Sequence, residues 1–186
     1  MIVAHADDEC IFSGDFILET SKKNIGWDIL CCVTPDSQSK FRIKMFLFDL
    51  PNYVNGLSTF MLNNADTGFQ GSIINKEKLY KDIKEKLKKR EWTRIYTHGE
   101  NGEYGHKHHI EVHNIVKAAC KDLGLLEKLY VFNPIKKENA TISKEKDLLF
   151  LNTYDKEEDL PDSHPRKWVR GWNTTQGWAE GFKKWI

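Results

Sequence analysis

No stretch of this chain approaches the roughly 20 consecutive apolar residues that a membrane-spanning helix needs. The opening residues, Met1 to Glu9, carry neither a basic run nor a long apolar core, so no secretory signal is expected. Charge of either sign is also missing in excess: 28 Lys+Arg face 27 Asp+Glu, for a formal net charge of +1. That balance builds in no general pull toward nucleic acid or an anionic membrane, and any charged site must be local. That argues against a nucleic-acid binder. The four cysteines, Cys10, Cys31, Cys32 and Cys120, form no CxxC pair, and Cys31–Cys32 sits inside an apolar run. Buried, reduced thiols in a cytoplasmic protein are expected. There is no internal repeat, no low-complexity segment and no interdomain linker.

What is present is an ordinary globular composition, 40% hydrophobic and 30% charged. A length of 186 residues supports one hydrophobic core and is short for two, so residues 1–186 read as a single domain. Met1–Ala4 reads as a short strand, and Glu9–Thr20 as a helix or a loop leading into one. Trp27–Val33 reads as a buried strand closed by Thr34-Pro35-Asp36. Ser39–Leu50 predicts a second helix that Pro51 ends. Residues 52–74, rich in Asn, Gly and Ser, predict a short strand and an irregular loop. Leu79, Ile83 and Leu87 recur every four residues, which makes 76–90 an amphipathic helix with a solvated lysine face. Arg94–Thr97 predicts a strand, His98–Lys107 a polar loop, His108–Leu123 a helix stopped by Gly124, and Leu129–Phe132 another strand. Four of six tryptophans fall at 168, 172, 178 and 185. Aromatic faces suit sugars, but Trp178, Phe182 and Trp185 recur at helical spacing, so segment 164–186 is expected to pack on the domain through a terminal helix.

Strands alternating with helices imply an α/β, three-layer, Rossmann-like fold, with a mostly parallel sheet and helices on both faces. Ligands in such sheets bind beyond the carboxyl ends of the strands. Two loops at that edge are dense in chemistry. The first reads Ala4-His5-Ala6-Asp7-Asp8-Glu9. Adjacent acids raise one another's pKa unless a cation lies between them, and His with carboxylate oxygen is a zinc-type ligand set. His5 and Asp8 can converge on one ion while Asp7 faces the open position; an exposed acidic turn or a helix cap is the alternative. The second loop runs from His98 to His109, with His113 one turn on, and holds five of the seven histidines. Histidine is the commonest metal ligand and the usual acid or base near neutral pH, although a cluster alone could be adventitious. Two such loops at one sheet edge point to a metal-dependent hydrolase.

These residues carry a resemblance. Ala4-His5-Ala6-Asp7-Asp8-Glu9 resembles the A-H-P-D-D-E motif of the PIG-L/LmbE-like deacetylases, the N-acetylglucosaminyl-phosphatidylinositol de-N-acetylase superfamily. Gly102-Glu103-Tyr104-Gly105-His106-Lys107-His108-His109, followed by Val112-His113, resembles that family's G-E-Y-G-H-x-x-H and V-H. The likeness covers most of residues 1–133. It implies one zinc ion (or another divalent transition metal) held by His5, Asp8 and His109, with Asp7 as general base. His106 would be the second acid–base or oxyanion-stabilising group, with Tyr104 as a further oxyanion donor. The implied reaction is hydrolysis of the acetamide of an N-acetylated amino sugar or glycoconjugate, a small molecule, to acetate and a free amine.

The chain also departs from the family. Ala6 replaces the usual proline, and His108 stands where many members have aspartate, a carboxylate that orients the neighbouring histidine. Glu103 and Glu100 are the candidates to replace it. Arg42 falls where members often place a substrate-contacting arginine, and Asp66 lies in a loop that could reach sugar hydroxyls. His98 reads as a residue that orients the second loop; His113, on the helix face of His109, could be a ligand, but a packing role or a supporting role behind the ligands is preferred. A second full metal-ligand set, as a two-ion phosphoesterase would need, cannot be assembled from the sequence. Other classes remain open: a sugar- or metal-binding module without turnover, or a metal-dependent amidase on a non-sugar substrate.

Overall fold

The computed structural model describes residues 1–34, 40–136, 143–146 and 178–185. Three parallel strands, β1 (Ile2–Val3), β2 (Trp27–Cys31) and β3 (Leu57–Met61), form one sheet in the order β1-β2-β3. β4 (Ile95–Thr97) pairs in parallel with β5 (Leu129–Phe132), which pairs antiparallel with β8 (Phe182–Lys184). β1 lies beside β4, so the two sheets run on from one another. A small antiparallel pair, β6 (Ile135–Lys136) with β7 (Trp178–Ala179), completes the strands.

Period-two alternation divides the core between two faces. Val3, Ile29, Cys31, Tyr96 and Phe132 point to one face, where they meet Phe12 and Ile17 of α1 (Asp8–Ser21) and Met45, Phe46 and Leu50 of the segment before β3. Ile2, Leu30, Ile95 and Leu129 point to the other, packed on Leu79, Ile83 and Leu87 of α4 (Lys76–Lys88) and Val112, Val116 and Ala119 of α6 (Lys107–Asp122). The result is the three-layer α/β arrangement expected from the sequence. All four cysteines are free and buried. No helix among the described residues is long and apolar enough to cross a membrane.

Two expectations are corrected. Pro51 does not end the second helix. α2 (Lys40–Lys44) passes into a π-helical turn, Met45–Asp49, and on into α3 (Leu50–Tyr53), with Pro51 in its first turn. Proline has no N–H to give a carbonyl in the preceding turn, and the wider turn, in which Leu50 N–H donates to the Met45 carbonyl, accommodates this. Residues 178–185 are not helical either. Trp178 lies in β7, and Phe182 begins β8, opposite Phe132. Phe182 packs on Phe16 and Tyr96, whereas Trp185 lies against His113 on the other face. Residues three apart share a helix face but oppose each other across a strand. Trp168 and Trp172 lie outside the described residues.

This C-terminal segment is tied to α1 through a kink. Ser13 leaves helical geometry (φ −153°, ψ 17°), and the N–H groups of Asp15 and Phe16 donate to the Glu180 carboxylate at 3.0 and 3.1 Å. Lys146, 1% exposed, donates to the same carboxylate at 2.5 Å and to the Ile11 carbonyl at 2.9 Å. A buried ion pair and a cap on the second half of α1 thus share one carboxylate.

Candidate metal centre

The first loop is a strained turn from β1 into α1. Asp7 adopts φ 126°, a region that L-residues rarely occupy, and its N–H is held by Glu9 Oε2 at 3.1 Å. Its carbonyl accepts from Cys10 and Ile11 N–H, which starts the helix. The turn brings His5 N–H to Asp8 Oδ2 at 2.7 Å and leaves the two side chains facing one another. The second loop begins after β4 with His98 and closes through α5 (Gly102–Gly105) onto α6. Glu103 also lies at positive φ, 59°.

The hydrogen-bond network assigns the protons on the imidazoles. Glu103 Oε2 accepts from Nδ1 of His98 at 2.9 Å and Nδ1 of His109 at 2.7 Å, and Oε1 accepts Gly99 N–H at 2.6 Å. His98 Nε2 accepts Ala4 N–H at 2.9 Å. The Thr67 hydroxyl donates to the Ser72 carbonyl, so His108 Nε2 donates to Thr67 Oγ1 at 2.7 Å. His108 Nδ1 is then an acceptor for His5 Nε2–H at 3.1 Å. The lone pairs of His5 Nδ1 and His109 Nε2 are left facing one another at 3.2 Å. Asp8 Oδ2 lies 3.4 Å from the first, and Asp8 Oδ1 3.4 Å from the second.

Two nitrogen lone pairs and a carboxylate turned inward repel unless a cation lies between them. Ligands about 2.0–2.1 Å from a tetrahedral zinc stand about 3.3–3.4 Å from one another. The two nitrogens stand 3.2 Å apart and each lies 3.4 Å from a different oxygen of Asp8, spacings close to that edge. The residues present therefore fit such an ion. Two overlapping groups, His5/His106/His108 and His98/Glu103/His109, also bring ligand atoms within 4.8 Å of one another. Each of these groups shares a histidine with the first, and neither has a full set of its own.

Burial raises a carboxyl pKa, yet the neighbouring imidazoles of His109 and His98, with the His5 backbone N–H, hold Asp8 well below the usual range. Burial likewise opposes ionisation of Glu103, but His98 and His109 bring it down to about 2. Asp7 goes the other way. Its burial outweighs the opposing Arg42 guanidinium and lifts it to about 6, with the Asp8 charge adding to the rise. Arg42 Nη2 donates to Asp7 Oδ2 and, at 2.9 Å, to the Ala6 carbonyl. His106 caps α6, accepting His108 N–H at Nδ1 (3.2 Å), which leaves its proton on Nε2. Burial, with His5 and His109 beside it, lowers His106 to about 3, so the ring is neutral. Tyr104 is pushed upward by burial and by Asp8 and Asp7, and its ring lies edge-on to His106 and His109.

The structure thus brings His5, Asp7, Asp8, His106, His109, Tyr104 and Arg42 to one edge of the sheet. Asp66 approaches from the loop after β3, with Oδ1 3.8 Å from His108 Nδ1. Arg42 rests on Asp7. Sequence reasoning missed Thr67, for which no pattern gave a signal, and saw Glu103 only as a stand-in for the carboxylate lost at 108. Its imidazole partners are His98 and His109. His113 donates Nδ1–H to the His98 carbonyl at 2.8 Å, a packing role as expected.

No family model matches the chain. An uncharacterized protein of Acanthamoeba polyphaga mimivirus is 24% identical over 127 residues, 62% of this chain. The match spans 55% of that protein's length, so the chain covers about half of the curated relative. Among solved structures, N,N'-diacetylchitobiose deacetylase from Pyrococcus horikoshii superposes with a TM-score of 0.72 at 15% identity, over 98% of this chain and 81% of that one. A deacetylase of an antimicrobial pseudoaglycone gives 0.60 at 11% identity, over 100% and 96%. A 4-carboxy-2-hydroxymuconate hydratase from Pseudomonas putida gives 0.58 at 10% identity, over 92% and 82%. Likeness at these identities is a likeness of fold, and the chain shares the fold of these two deacetylases and the hydratase.

Proposed function

We propose that this chain, read over 1–186 as one domain, is a zinc-dependent N-deacetylase that releases acetate from an N-acetylated amino sugar of the N-acetylglucosamine type. The observation that carries the reading is the inward-facing triad of His5 Nδ1, Asp8 and His109 Nε2, beside a carboxylate and a neutral imidazole that are free of the triad. The two deacetylases of the same fold support the reaction class, and their named substrates support a sugar-bearing acetamide. The buried free cysteines suit a reducing, cytoplasmic setting.

Zinc, when held by His5, Asp8 and His109, supplies a Lewis acid for the carbonyl and a water whose pKa falls from 15.7 toward about 7. Asp7 takes the proton of the attacking water. A carboxyl near 6 is poised for that exchange close to neutral pH, and Arg42 fixes its orientation. His106, with Nδ1 committed to His108 N–H, points a fixed Nε2–H donor at the developing oxyanion. The Tyr104 hydroxyl is a second donor for it. Asp7 then returns its proton to the departing amine. Asp66 is the group available for sugar hydroxyls.

A second reading follows from the hydratase of the same fold, since water can also be added to a polarised carbon–carbon double bond with no leaving group. The test is acetate release by zinc-loaded protein across a panel of N-acetylhexosamine glycosides, with bound metal measured in parallel. Acetate release that chelation abolishes and zinc restores is expected. Stoichiometric zinc without acetate from any sugar refutes the deacetylase and favours a metal- and sugar-binding module. Release only from non-sugar acetamides moves the assignment to an amidase.

A further inference from the structure

The loop between β3 and α4 is built around the hydroxyl of Thr67. Thr67 Oγ1–H donates to the Ser72 carbonyl at 3.0 Å, across a turn that Gly71 N–H closes on the Gly68 carbonyl at 2.9 Å. Gly71 makes the room, because a Cβ added there would overlap the Thr67 hydroxyl and carbonyl. Asp66 Oδ1 accepts Gly68 N–H at 2.9 Å. Two further bonds pin the loop to the histidine-rich segment and its helix: Lys107 N–H on the Phe69 carbonyl at 3.2 Å, and Ile73 N–H on Glu111 Oε2 at 2.7 Å. The hydroxyl has one proton, spent on Ser72. Toward the fully buried His108, Oγ1 can therefore only accept.

That acceptor sets a chain of tautomers. A neutral imidazole carries one proton, and Thr67 holds that of His108 on Nε2, at 2.7 Å, so Nδ1 presents a lone pair. His5 Nε2–H donates to this lone pair at 3.1 Å, which leaves His5 Nδ1 as the lone pair facing Asp8 and His109 Nε2. The opposite arrangement has its own stabiliser, since Asp66 Oδ1 lies 3.8 Å from His108 Nδ1 and favours a proton there. With that proton on Nδ1, the N–H groups of His108 and His5 would oppose one another. Moving the His5 proton to Nδ1 would relieve the clash and turn a donor toward the ion. A carboxylate at position 108 would accept through either oxygen and need no such control; the imidazole does. We propose that Thr67 is a positioning residue for the metal centre: through His108 it fixes the tautomer in which His5 can bind a metal ion. The loop that carries Asp66 is thereby part of the metal site, two side chains removed from the ion. This inference rests on the reading of His5, Asp8 and His109 as metal ligands.

The experiment reads imidazole proton positions by long-range nitrogen–proton NMR of the metal-free full chain, and zinc affinity by chelator competition, for wild type, Thr67→Val and Thr67→Ser. Valine keeps the shape and accepts nothing, whereas serine keeps the acceptor. Wild type and Thr67→Ser are expected to hold His108 and His5 as Nε2–H tautomers and to bind zinc alike. Thr67→Val should move the His108 proton to Nδ1 and weaken zinc by about tenfold or more, the usual weight of a partner behind a metal-bound histidine. Unchanged tautomers in Thr67→Val, or zinc affinity within about threefold of wild type, overturn the proposal. So does weakened zinc without a tautomer change, which would make Thr67 a loop-packing residue. A His108 proton found on Nδ1 in wild type or in Thr67→Ser overturns it without recourse to the valine variant. Wild type with the expected tautomers but no zinc binding keeps the chain from Thr67 to His5 and refutes the metal centre instead.

Discussion

Glu103→Gln separates a carboxylate that tunes a metal ligand from one that merely fills space. Glu103 Oε2 receives the N–H groups of His98 and His109, and Oε1 receives Gly99 N–H at 2.6 Å. A glutamine has the same shape and can keep the same backbone, including φ 59°. It cannot keep the bonds. With its oxygen toward the imidazoles, its NH2 faces Gly99 N–H; turned round, the NH2 faces two imidazole N–H groups. Either way donors oppose donors, and the remaining bonds lose the charge that makes them roughly twice as strong. Removing such a partner of a metal-bound histidine typically costs 10- to 100-fold in metal affinity, or about 1.4–2.8 kcal/mol. The obligatory donor clash puts the expectation near the upper end. Competition against a chromogenic chelator measures zinc affinity, and circular dichroism of the metal-free variant checks that the fold is kept. A folded variant whose zinc affinity stays within threefold of wild type refutes His109 as a ligand and leaves His5/His106/His108 as the set to test. Lowered melting temperature with unchanged affinity would make Glu103 a structural clasp.

Three further outcomes follow from the same contacts. Asp7→Asn should keep zinc and lose turnover by about 100-fold or more, the usual weight of a general base; loss of zinc in a metal assay would instead make Asp7 a ligand. His108→Ala removes the acceptor of His5 Nε2–H, so zinc affinity should fall by about tenfold or more, with His108→Asn restoring part of it; equal affinity in all three proteins would show that His5 needs no such partner. Glu180→Ala removes the acceptor shared by Lys146, Asp15 and Phe16 and should lower stability by about 3 kcal/mol or more in a thermal melt, with zinc affinity unchanged; a change below about 0.5 kcal/mol would mean that the C-terminal segment does not hold α1.

Legibility in the sequence tracked how local each determinant was. The α4 stripe of Leu79, Ile83 and Leu87 reports on a helix whose buried face is repeated within its own turns, and all three residues are buried. Apart from the half-buried Asp28, Trp27–Cys31 is apolar and buried on both faces, so its strand character needed no partner to be read. At the end of the chain the determinant is distant. Phe182 pairs with Phe132, and the 3.6-like spacing of Trp178, Phe182 and Trp185 coincides with positions in and next to two short strands. The π turn before Pro51 was hidden for a related reason: proline marks a missing donor, but the neighbouring turn decides whether the helix stops or widens. In the candidate site, the two loops announced themselves by composition. The couplings of Arg42 to Asp7, Thr67 to His108 and Glu103 to His98 leave no signature, because they are set by which loops meet at the sheet edge and by proton positions.

The likeness to both deacetylases and a hydratase narrows what these couplings must decide. Hydrolysis of an amide and hydration of a double bond both need an activated water and a stabilised oxyanion, so a metal triad and a neutral donor such as His106 would serve either. They part at the final proton. An amine leaves only if a proton reaches its nitrogen, and the base that took it from water must release it within the same site. Asp7, lifted toward about 6 by burial yet restrained by Arg42, is suited to hold a proton briefly near neutral pH and give it up again. A hydratase must deliver a proton as well, but to a carbon of the former double bond and not to a leaving nitrogen. Arg42→Met therefore bears on this proton transfer as well as on orientation. Without the opposing guanidinium, burial should carry Asp7 still higher, and the acidic limb of an acetate-release profile should move up in pH. An unmoved limb, with turnover otherwise intact, would show that some other group handles the amine's proton.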